Sequence, residues 1–332
     1  MSVTLKEVSE QAGVSRSAVS RTFTDGASVS AKTRKKVKDA AAALGYIPSL
    51  IASSLKTKRT KLIGLVANNF QNPVFLQVFD LFTRALQARG FRPLLVNLTD
   101  ETDPAHSVSM LKQYSVDGVI VATSTLSPAF ARAFHLANVP VVHAFGRYDK
   151  DVNVDVVGID NVECGKMAAN TLLERGYRQI AVLAGPENAT STQDRVKGFR
   201  QAMMLADVEI SDISFARSYS HAAGLEAMTA LLQRTNVEAV FCGDDLICMG
   251  AMDLARTVGL SIPGDIGFLG FNDMEMASWQ AYNLTTIRQP IADIIQRAVE
   301  VISAMDDAPA KPATQLFPCG IVERGTLRPL VI

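Results

Sequence analysis

The first 45 residues contain the pattern of two short helices separated by a single glycine. Thr4 and Glu7 have the spacing of a capping box, in which each side chain bonds the other residue's backbone amide. They predict a helix from Leu5 to about Ala12, and Gly13 then supplies the left-handed conformation that a tight turn needs. The chain is therefore expected to begin with a small helical unit in which a second helix follows at once.

Ser15 is the predicted cap of this second helix, which extends to about Phe23. Two short helices joined by such a turn form a helix-turn-helix, whose second helix enters the major groove of DNA. Four polar residues fall on the outward face of this helix: Arg16, Ser17, Ser20 and Arg21. The pattern therefore indicates sequence-specific DNA binding.

Ser30 and Gly45 mark the start and the end of a predicted third helix with basic outer faces. We expect its basic side chains to contact phosphates, the alternative being a solvated surface: they are Lys32, Arg34, Lys35, Lys36 and Lys38. Residues 1–61 hold twelve basic and four acidic side chains, whereas the whole chain has zero net charge. The rest of the chain is therefore acidic. We expect the basic head to make the contacts with DNA, because the acidic body is repelled by the phosphates.

The exit from the third helix, Tyr46-Ile47-Pro48, and the segment Ser49–Leu55 follow in register. With them the chain resembles the lactose-repressor/galactose-repressor (LacI/GalR) family of bacterial transcription regulators over essentially its whole length. The resemblance implies that the early outward residues of the second helix contact bases. The residues predicted to contact DNA are Thr4, Ser15, Arg16, Ser17, Ser20, Arg21, Ser30 and Leu55.

Leu55 stands where the family places a leucine that wedges into the central base step of the operator. The resemblance implies that Ser49–Leu55 folds into a short helix only on specific DNA, where two such helices pair in the minor groove of a dimer. The alternative is that Leu55 simply packs against the body of the protein. A seven-residue helix is marginal by itself, so either packing or disorder is expected without DNA.

From Lys61 onward, short apolar runs alternate with helical periodicity in two successive sets, which predicts parallel sheets covered by helices. The predicted fold class is a small all-α head plus hinge helix, joined to an α/β body of two doubly wound parallel-sheet lobes like those of periplasmic binding proteins. The predicted domains are a DNA-binding domain over 1–46, a hinge over 47–60 and an effector-binding and dimerisation domain over 61–332. The resemblance implies that the chain crosses between the lobes three times, and we place the crossings near Asp160, Arg288 and Pro318. Lobe 1 would then comprise about 61–160 and 289–318, and lobe 2 about 161–288 and 319–332.

Ligands of open α/β sheets bind at the carboxyl ends of strands, so the residues just after each predicted strand are the candidates. The resemblance matches eight of them to family ligand positions: Asn72, Phe75, Phe145, Ser191, Arg195, Tyr219, Asp244 and Asn272. Arg195 is the strongest candidate, because a guanidinium can grip two ligand oxygens, the alternative being an interlobe salt bridge. The three aromatic residues could instead be ordinary core side chains.

The mixture of amide, carboxylate and aromatic groups favours a sugar or polyol as the effector. Ala189 stands where purine-sensing members carry a basic residue, and Arg195 is the one cation among the candidates, so purines and phosphorylated ligands are disfavoured. Many relatives carry aspartate at the position of Asn272, which leaves the particular effector open. The helix start after Ala189 should offer free backbone amides to a polar or anionic ligand.

Other classes of protein find little support. No nucleotide-binding or nucleophile motif is present, and the acidic pairs Asp244-Asp245 and Asp273-Glu275 are explained by sugar binding and by surface charge. The four cysteines and four histidines are scattered, so we expect buried free thiols, no metal and no cofactor. An N-terminus without an apolar signal argues against an extracytoplasmic sugar-binding protein and for a cytoplasmic, nucleoid-associated one without a membrane partner.

The expected protein is a homodimer that binds a partly palindromic operator, and a dimer is favoured because no leucine-heptad helix follows Arg328. Repression relieved by a ligand is the more common family outcome. A ligand-dependent activator and a repressor that needs its ligand as corepressor remain the alternatives.

Overall fold

The computed structural model describes most of the chain: residues 3–24, 26–48, 54, 59–68, 70–98, 103–304 and 312–330. It divides into two compact units, Met1–Thr60 and Lys61–Ile332. Leu55, the predicted wedge, lies outside the described residues, as does most of the predicted hinge.

The first unit is a three-helix head: α1 (Leu5–Ala12), α2 (Arg16–Thr22) and α3 (Ala31–Leu44). Its small core is formed by Val8, Val19 and Val37, one from each helix, and all three are fully buried. Gly13 ends α1 with a φ of 62°, and Gly45 ends α3 with a φ of 67°. The left-handed turns inferred from these glycines are thus confirmed, because a residue with a Cβ atom would be strained there.

The second unit begins with a six-stranded, wholly parallel sheet, whose strand order is β11-β5-β4-β3-β1-β2. We call this sheet and its helices lobe 1. Its elements are β1 (Leu62–Ala67), α4 (Val74–Ala88), β2 (Arg92–Asn97), α5 (Pro104–Gln113), β3 (Gly118–Ala122), α6 (Pro128–Leu136), β4 (Val141–Ala144), β5 (Asp155–Ile159), α11 (Ile291–Ala304) and β11 (Thr314–Phe317).

Lobe 2 contains the second sheet, in the order β12-β10-β9-β8-β6-β7, with only β12 antiparallel to its neighbour. Its elements are α7 (Asn161–Leu173), β6 (Ile180–Ala184), α8 (Thr190–Leu205), β7 (Ile210–Phe215), α9 (His221–Arg234), β8 (Ala239–Cys242), α10 (Asp245–Thr257), β9 (Gly267–Asn272), β10 (Thr286–Arg288) and β12 (Gly320–Val322). The predicted fold class, an α/β body of two doubly wound lobes that follows an all-α head in the chain, is thereby confirmed.

The chain passes between the two sheets three times. The first passage follows β5, the second lies between β10 and α11, and the third is the short Pro318-Cys319 link between β11 and β12. Each sheet is therefore completed by a segment that arrives from the other lobe, so the lobes share three covalent connections.

Side chains of the central strands point alternately to two helix layers. In β1, Ile63 and Leu65 face the core that contains Phe82 of α4, whereas Val66 faces a second core that contains Phe134 of α6. All five are at most 1% exposed, which explains why the strand is an almost continuous apolar run.

The helices α7 and α8 cross where a glycine of each helix lies against the backbone of the other helix. A methyl group at Gly198 would lie 1.8 Å from the carbonyl oxygen of Val162, and one at Gly165 would lie 2.0 Å from that of Arg195. Only glycine permits this approach, which places the N-terminal half of α8 against α7. The same relationship joins α9 and α10, where a methyl group at Gly250 would lie 2.0 Å from the carbonyl oxygen of His221.

Two sequence expectations differ from the structure. The apolar run over 139–142 predicts a strand with those bounds, but β4 covers Val141–Ala144, because Pro140 has no amide hydrogen for the ladder. Sequence analysis also did not predict β5, α7, β10, β11 and β12, since several of them are short and carry polar residues between their apolar ones.

No helix in the described part of the chain is both long and apolar enough to cross a membrane. All four cysteines are free thiols, but Cys319 is only partly buried, against the expectation of four buried thiols. It lies in the third link between the lobes, between β11 and β12.

Candidate functional site

The predicted DNA-contacting residues of the head fall into two groups. Thr4, Ser15 and Ser30 are the caps of its three helices, and each hydroxyl accepts a hydrogen bond from the backbone amide three residues later. Arg16 and Arg21 are exposed on α2 without an ion pair among the described residues. Hydroxyl capping fixes the helix ends, so the arginines of α2 are the groups available to a base edge.

Three further residues complete the predicted face. Ser17 is exposed, and its hydroxyl shares a 2.9 Å hydrogen bond with that of Ser15. Ser20 is half-buried, and its carbonyl oxygen accepts a 2.9 Å bond from the hydroxyl of Thr24. A contact of either serine with DNA remains a prediction, as does the wedge at Leu55, which lies outside the described residues.

Arg34 does not behave as a member of the exposed basic run of α3. Its two terminal nitrogens donate to the carbonyl oxygens of Thr22 and Ala27, each over 3.2 Å. It therefore ties α3 to the segment after α2, and the prediction that it contacts phosphate gives way to a structural role. Lys32, Lys35, Lys36 and Lys38 are exposed.

A single cavity between the two lobes brings together all eight residues predicted to bind the effector. They come from separate strand ends of both sheets: Asn72, Phe75, Phe145, Ser191, Arg195, Tyr219, Asp244 and Asn272. The cavity measures about 60 Å³. The carboxyl ends of parallel strands converge there, which is the physical reason that residues after strands were suitable candidates.

Asp244 is the hydrogen-bond centre of the cavity. One carboxylate oxygen accepts from the amide of Asn72 over 3.0 Å and from that of Asn272 over 2.8 Å, and the other accepts from the backbone amide of Leu246 over 2.8 Å. The side chain is 2% exposed, and burial raises its pKa while the bond from Asn72 lowers it. The bond to Asn72 crosses the cleft from lobe 2 to lobe 1.

Arg195 is held by lobe 2 alone. Its Nε donates to Asn161 over 2.8 Å, its Nη1 donates to the carbonyl oxygen of Gly243 over 2.8 Å, and its guanidinium carbon lies 3.5 Å from the ring centre of Phe271. Burial lowers the pKa of this arginine. Among the described residues it forms no ion pair, so the alternative role of Arg195 as an interlobe salt bridge does not match the geometry.

The three candidate aromatic residues line the cavity as well as packing in the core. Phe145 is 9% exposed and adopts a left-handed φ of 63°, and Phe75 stands 6.0 Å from the ring of Phe79. The hydroxyl of Tyr219 shares a 2.9 Å bond with Thr192, and a methyl group at Gly185 would collide with its ring at 2.3 Å. These rings give the cavity apolar faces that suit the C–H faces of a sugar.

Several lining residues were missed by sequence analysis. They are Val74, Val78, Thr123, Ser124, Thr125, Gln289 and Ile291. The hydroxyl run Thr123–Thr125 directly follows β3, so the rule used for the other strand ends could have found it. Gln289 could not be found in this way, because it lies in the second passage between the lobes, where its amide donates to Asn272 over 2.5 Å.

The first two amides of α8 are not free, although free amides were expected at this helix start. The amide of Thr190 donates to the carbonyl oxygen of Thr125 over 3.3 Å, and that of Ser191 donates to the carbonyl oxygen of Ser124 over 3.1 Å. The first amides of a helix have no partner within the helix, and here lobe 1 satisfies these two. An anionic ligand that bound to them would have to displace bonds that join the lobes.

Two acidic residues beside the cavity are structural. Asp245 is fully buried, accepts from Thr286 over 2.7 Å and from the amide of Met274 over 2.8 Å, and has its pKa raised to about 8 by burial. Asp273, expected to be surface charge, has an 8% exposed side chain between Arg288 and Arg324, at 2.5 Å and 2.6 Å. Through these contacts both carboxylates stabilise the chain at the C-terminal end of β9.

Asn272 and Asp273 both have positive φ angles, 116° and 56°. Such conformations are unfavourable for residues with side chains and persist where the surroundings hold them. Asn272 is held by Asp244 and Gln289, and Asp273 by its two arginines. Asn272, which lines the cavity, is thus fixed by one contact within lobe 2 and one from the second passage between the lobes.

The described residues contain no group of three or more histidine, cysteine or acidic side chains placed to hold a metal ion. Lining groups are amides, hydroxyls, rings, one carboxylate and one guanidinium. This arrangement can bind a small polar ligand by hydrogen bonds and ring contacts.

Comparison with known proteins accounts for both units. Residues 4–49 match the family described as "Bacterial regulatory proteins, lacI family", and residues 60–303 match "Periplasmic binding proteins and sugar binding domain of LacI family". The transcriptional regulator DegA of Bacillus subtilis (strain 168) is 34% identical over 298 residues, 89% of this chain and 88% of the relative. The transcriptional repressor PurR of Proteus mirabilis (strain HI4320) is 32% identical over 305 residues, 90% of this chain and 89% of the relative.

Two solved structures are similar over nearly the full length. The lac repressor dimer bound to operator and the anti-inducer ONPF matches with a TM-score of 0.90 and 26% identity, covering 99% of this chain and 100% of that chain. The complex of the transcriptional regulator CelR with cellobiose matches with a TM-score of 0.73 and 27% identity, covering 98% and 99%. This chain therefore belongs to the lacI family of bacterial regulatory proteins, which are DNA-binding transcriptional regulators with a ligand-binding domain and not enzymes.

Proposed function

We propose that this protein is a repressor that binds a partly palindromic operator as a homodimer, and that a small neutral sugar or polyol in the cleft controls the binding. The observation that carries the proposal is a cavity lined by residues from both lobes. Its lining includes one cation, Arg195, and one anion, Asp244, so their charges balance.

The free hydrogen-bonding capacity of the cavity favours a neutral ligand with hydroxyl groups. Arg195 uses Nε and Nη1 within the protein, which leaves Nη2 for a ligand oxygen. Asp244 already accepts three hydrogen bonds, and the hydroxyl of Thr125 is bonded to Asn68. The hydroxyl of Ser124, whose bond to Ser191 is long at 3.4 Å, can both donate to a ligand and accept from it. A phosphorylated ligand would bring about two charges to a site with one cation.

The size of the closed cavity favours a ligand no larger than about a monosaccharide. One water molecule needs roughly 10–15 Å³ of such space. A cavity of about 60 Å³ therefore has room for only a few waters. A disaccharide such as the cellobiose of the CelR complex would need a wider cleft.

Exposed apolar side chains support the homodimer. Leu76 of α4 is 68% exposed and Leu95 of β2 is 49% exposed, and α4 packs on β2, the edge strand of lobe 1. Exposed leucines on an edge strand and on the helix packed against it are typical of a protein interface. A two-fold dimer would present two heads to the two halves of a palindrome, and sedimentation of the protein without DNA tests this.

The head supplies the DNA contacts in this proposal. Arg16, Ser17 and Arg21 contact bases, the lysines of α3 contact phosphates, and Leu55 forms the minor-groove wedge. Because its target is chromosomal DNA, we place the protein in the cytoplasm, at the nucleoid. Ligand controls the head by favouring one arrangement of the lobes, which requires different affinities for the two arrangements.

The test combines a ligand screen with a DNA-binding assay. Monosaccharides, polyols, disaccharides including cellobiose, sugar phosphates and purines are screened by thermal shift against the protein and against Arg195→Lys. A stabilising neutral ligand is then added to the protein on an operator obtained by binding-site selection. Release of the operator by that ligand, and loss of the thermal shift in Arg195→Lys, support the proposal.

Three results would change the proposal. Stabilisation by sugar phosphates alone would replace the neutral ligand by a charged one. Tighter operator binding with ligand would favour the second candidate, a corepressor-dependent repressor, and stimulation of transcription would favour an activator. The family includes named repressors such as PurR and the lac repressor, which favours repression.

A further inference from the structure

Arg147 and Asp194 form a two-pronged ion pair between the lobes. Nε of Arg147 lies 2.7 Å from Oδ2 of Asp194, and Nη2 lies 2.8 Å from Oδ1. The arginine side chain is 30% exposed and that of the aspartate 19%. Paired, charge-assisted hydrogen bonds in a partly buried setting are stronger and more specific in geometry than a single exposed contact.

The pair stands next to the cavity on both sides of the cleft. Arg147 lies between β4 and β5 of lobe 1, two residues after Phe145, and Asp194 directly precedes Arg195 on α8 of lobe 2. Nη2 of Arg147 also donates to the carbonyl oxygen of Thr190 over 2.7 Å. A further bond of 3.2 Å joins Nη2 to Oε1 of Gln193, so one side chain of lobe 1 contacts three residues on the first turns of α8.

The same end of α8 is joined to lobe 1 by its backbone. The amides of Thr190 and Ser191 donate to the carbonyl oxygens of Thr125 and Ser124. Because these bonds join residues of different lobes, they break whenever the lobes separate at this point. Water then takes the place of each partner, and the amides can exchange. The exchange of these two amides with solvent therefore measures the opening of the cleft directly.

From these contacts we infer that Arg147 and Asp194 act as a latch that holds the cleft closed. The pair stabilises the closed arrangement by itself, before any ligand is bound. Its consequence for the effector rests on the proposed function: a ligand can enter or leave only when the latch has opened, so loss of the latch shortens the lifetime of the bound ligand.

The experiment is hydrogen–deuterium exchange on the full-length protein without ligand, followed by mass spectrometry with peptide fragments that isolate Thr190 and Ser191. In Arg147→Ala and in Asp194→Ala, exchange at these amides is expected to be about tenfold faster than in the parent protein. The double variant should exchange no faster than the single ones, because both changes remove the same interaction. Exchange in β6 should be unchanged.

The matched control is the ion pair between Arg217 and Glu226, which lies within lobe 2 and has side chains 80% and 57% exposed. Arg217→Ala should leave the exchange of Thr190 and Ser191 unchanged, because an exposed pair contributes little and does not span the cleft. Arg147→Lys keeps the charge but loses the fork, so it should give an intermediate acceleration.

Unchanged exchange at Thr190 and Ser191 in both alanine variants, with β6 still protected, overturns the latch. If an alanine variant also exchanges faster in β6, the substitution has loosened lobe 2 itself, and Arg147→Lys is used in its place. Parent-like exchange of Thr190 and Ser191 in Arg147→Lys then overturns the latch. The exchange experiment uses no ligand, so a negative result in it does not contradict the proposed control by an effector. A negative result in the ligand screen likewise does not contradict the latch.

Discussion

The amide of Asn72 in lobe 1 donates a 3.0 Å hydrogen bond to the carboxylate of Asp244 in lobe 2, across the cleft that forms the cavity. The carboxylate is buried and also accepts from Asn272, so two amides face one charge. The cleft is therefore joined at its centre by a bond between two residues that we propose to bind the ligand.

Asn72→Asp should open the cleft and destabilise the protein. The change places a second carboxylate against Asp244, which costs roughly 1–3 kcal/mol of unfolding free energy at pH 8. The cost should shrink at pH 5, where the two groups can share a proton. Urea unfolding at both pH values measures it.

Asn161→Asp is the control for this substitution. The residue is also buried, but its oxygen accepts from Nε of Arg195, so the new charge would face a cation. A similar loss of stability in both variants would show that burial of a carboxylate, and not repulsion across the cleft, is responsible.

Gly198→Ala should destabilise lobe 2 and disturb the ligand site together. A methyl group there would lie 1.8 Å from the carbonyl oxygen of Val162, so α7 and α8 must move apart, at a cost of about 1–3 kcal/mol or more. Because α8 carries Arg195, the thermal shift by ligand should fall as well. Gly320→Ala, where a methyl group meets no atom within 4 Å, should unfold like the parent protein in urea.

His143 should contribute a stability that is lost in acid. It is 1% exposed, a ring nitrogen lies 3.1 Å from the carbonyl oxygen of Thr123, and burial lowers its pKa from 6.5 to about 4. Between those values the unfolded chain binds a proton that the folded protein does not, so stability is intact above pH 6.5 and falls as the pH drops toward 4. The loss reaches at most about 1.4 kcal/mol per pH unit.

Urea unfolding of the parent protein and of His143→Gln at pH 7 and pH 5 measures this contribution. The stability gap between the two proteins should be smaller at pH 5. An NMR titration should find this ring neutral until about pH 4. A constant gap, together with an ordinary titration of the ring, would contradict the prediction.

Arg21→Ala and Lys36→Ala should weaken operator binding in different ways. Arg21 is exposed on α2, where a base contact is proposed, so its loss should lower specific affinity roughly 10- to 100-fold and relax specificity. Lys36 is exposed on α3, where a phosphate contact is proposed, and its loss should reduce the salt slope of binding by about one. Fluorescence anisotropy at several salt concentrations, with a scrambled duplex beside the selected operator, separates the two effects.

Arg34→Ala serves as a further comparison in the same assay. Its guanidinium is committed to Thr22 and Ala27, so its replacement should lower the melting temperature of the head rather than alter the salt slope. A lower salt slope at unchanged melting temperature would return Arg34 to the phosphate-contacting group.

Much of the fold could be predicted because its signals are local. Capping residues and glycines indicate where α1 and α3 begin and end, and the spacing of apolar residues indicates the helix α4. These features depend on a residue's own propensity and on its nearest neighbours in the chain. Short strands such as β10 and β12 could not be predicted, because three residues carry too little pattern and their pairing partners are distant in the chain.

The candidate site divides in the same way. The sequence by itself determined which residue types follow the strands, and parallel strands necessarily bring such residues to one edge, so Asn72, Arg195 and Asp244 could be named together. Only the tertiary structure decided what each does: that Arg195 bonds within lobe 2, that Gln289 reaches the cavity from a passage between lobes, and that Arg147 meets Asp194 across the cleft. Such contacts join residues tens of positions apart, and they depend on how whole helices and sheets pack, which no local pattern in the chain records.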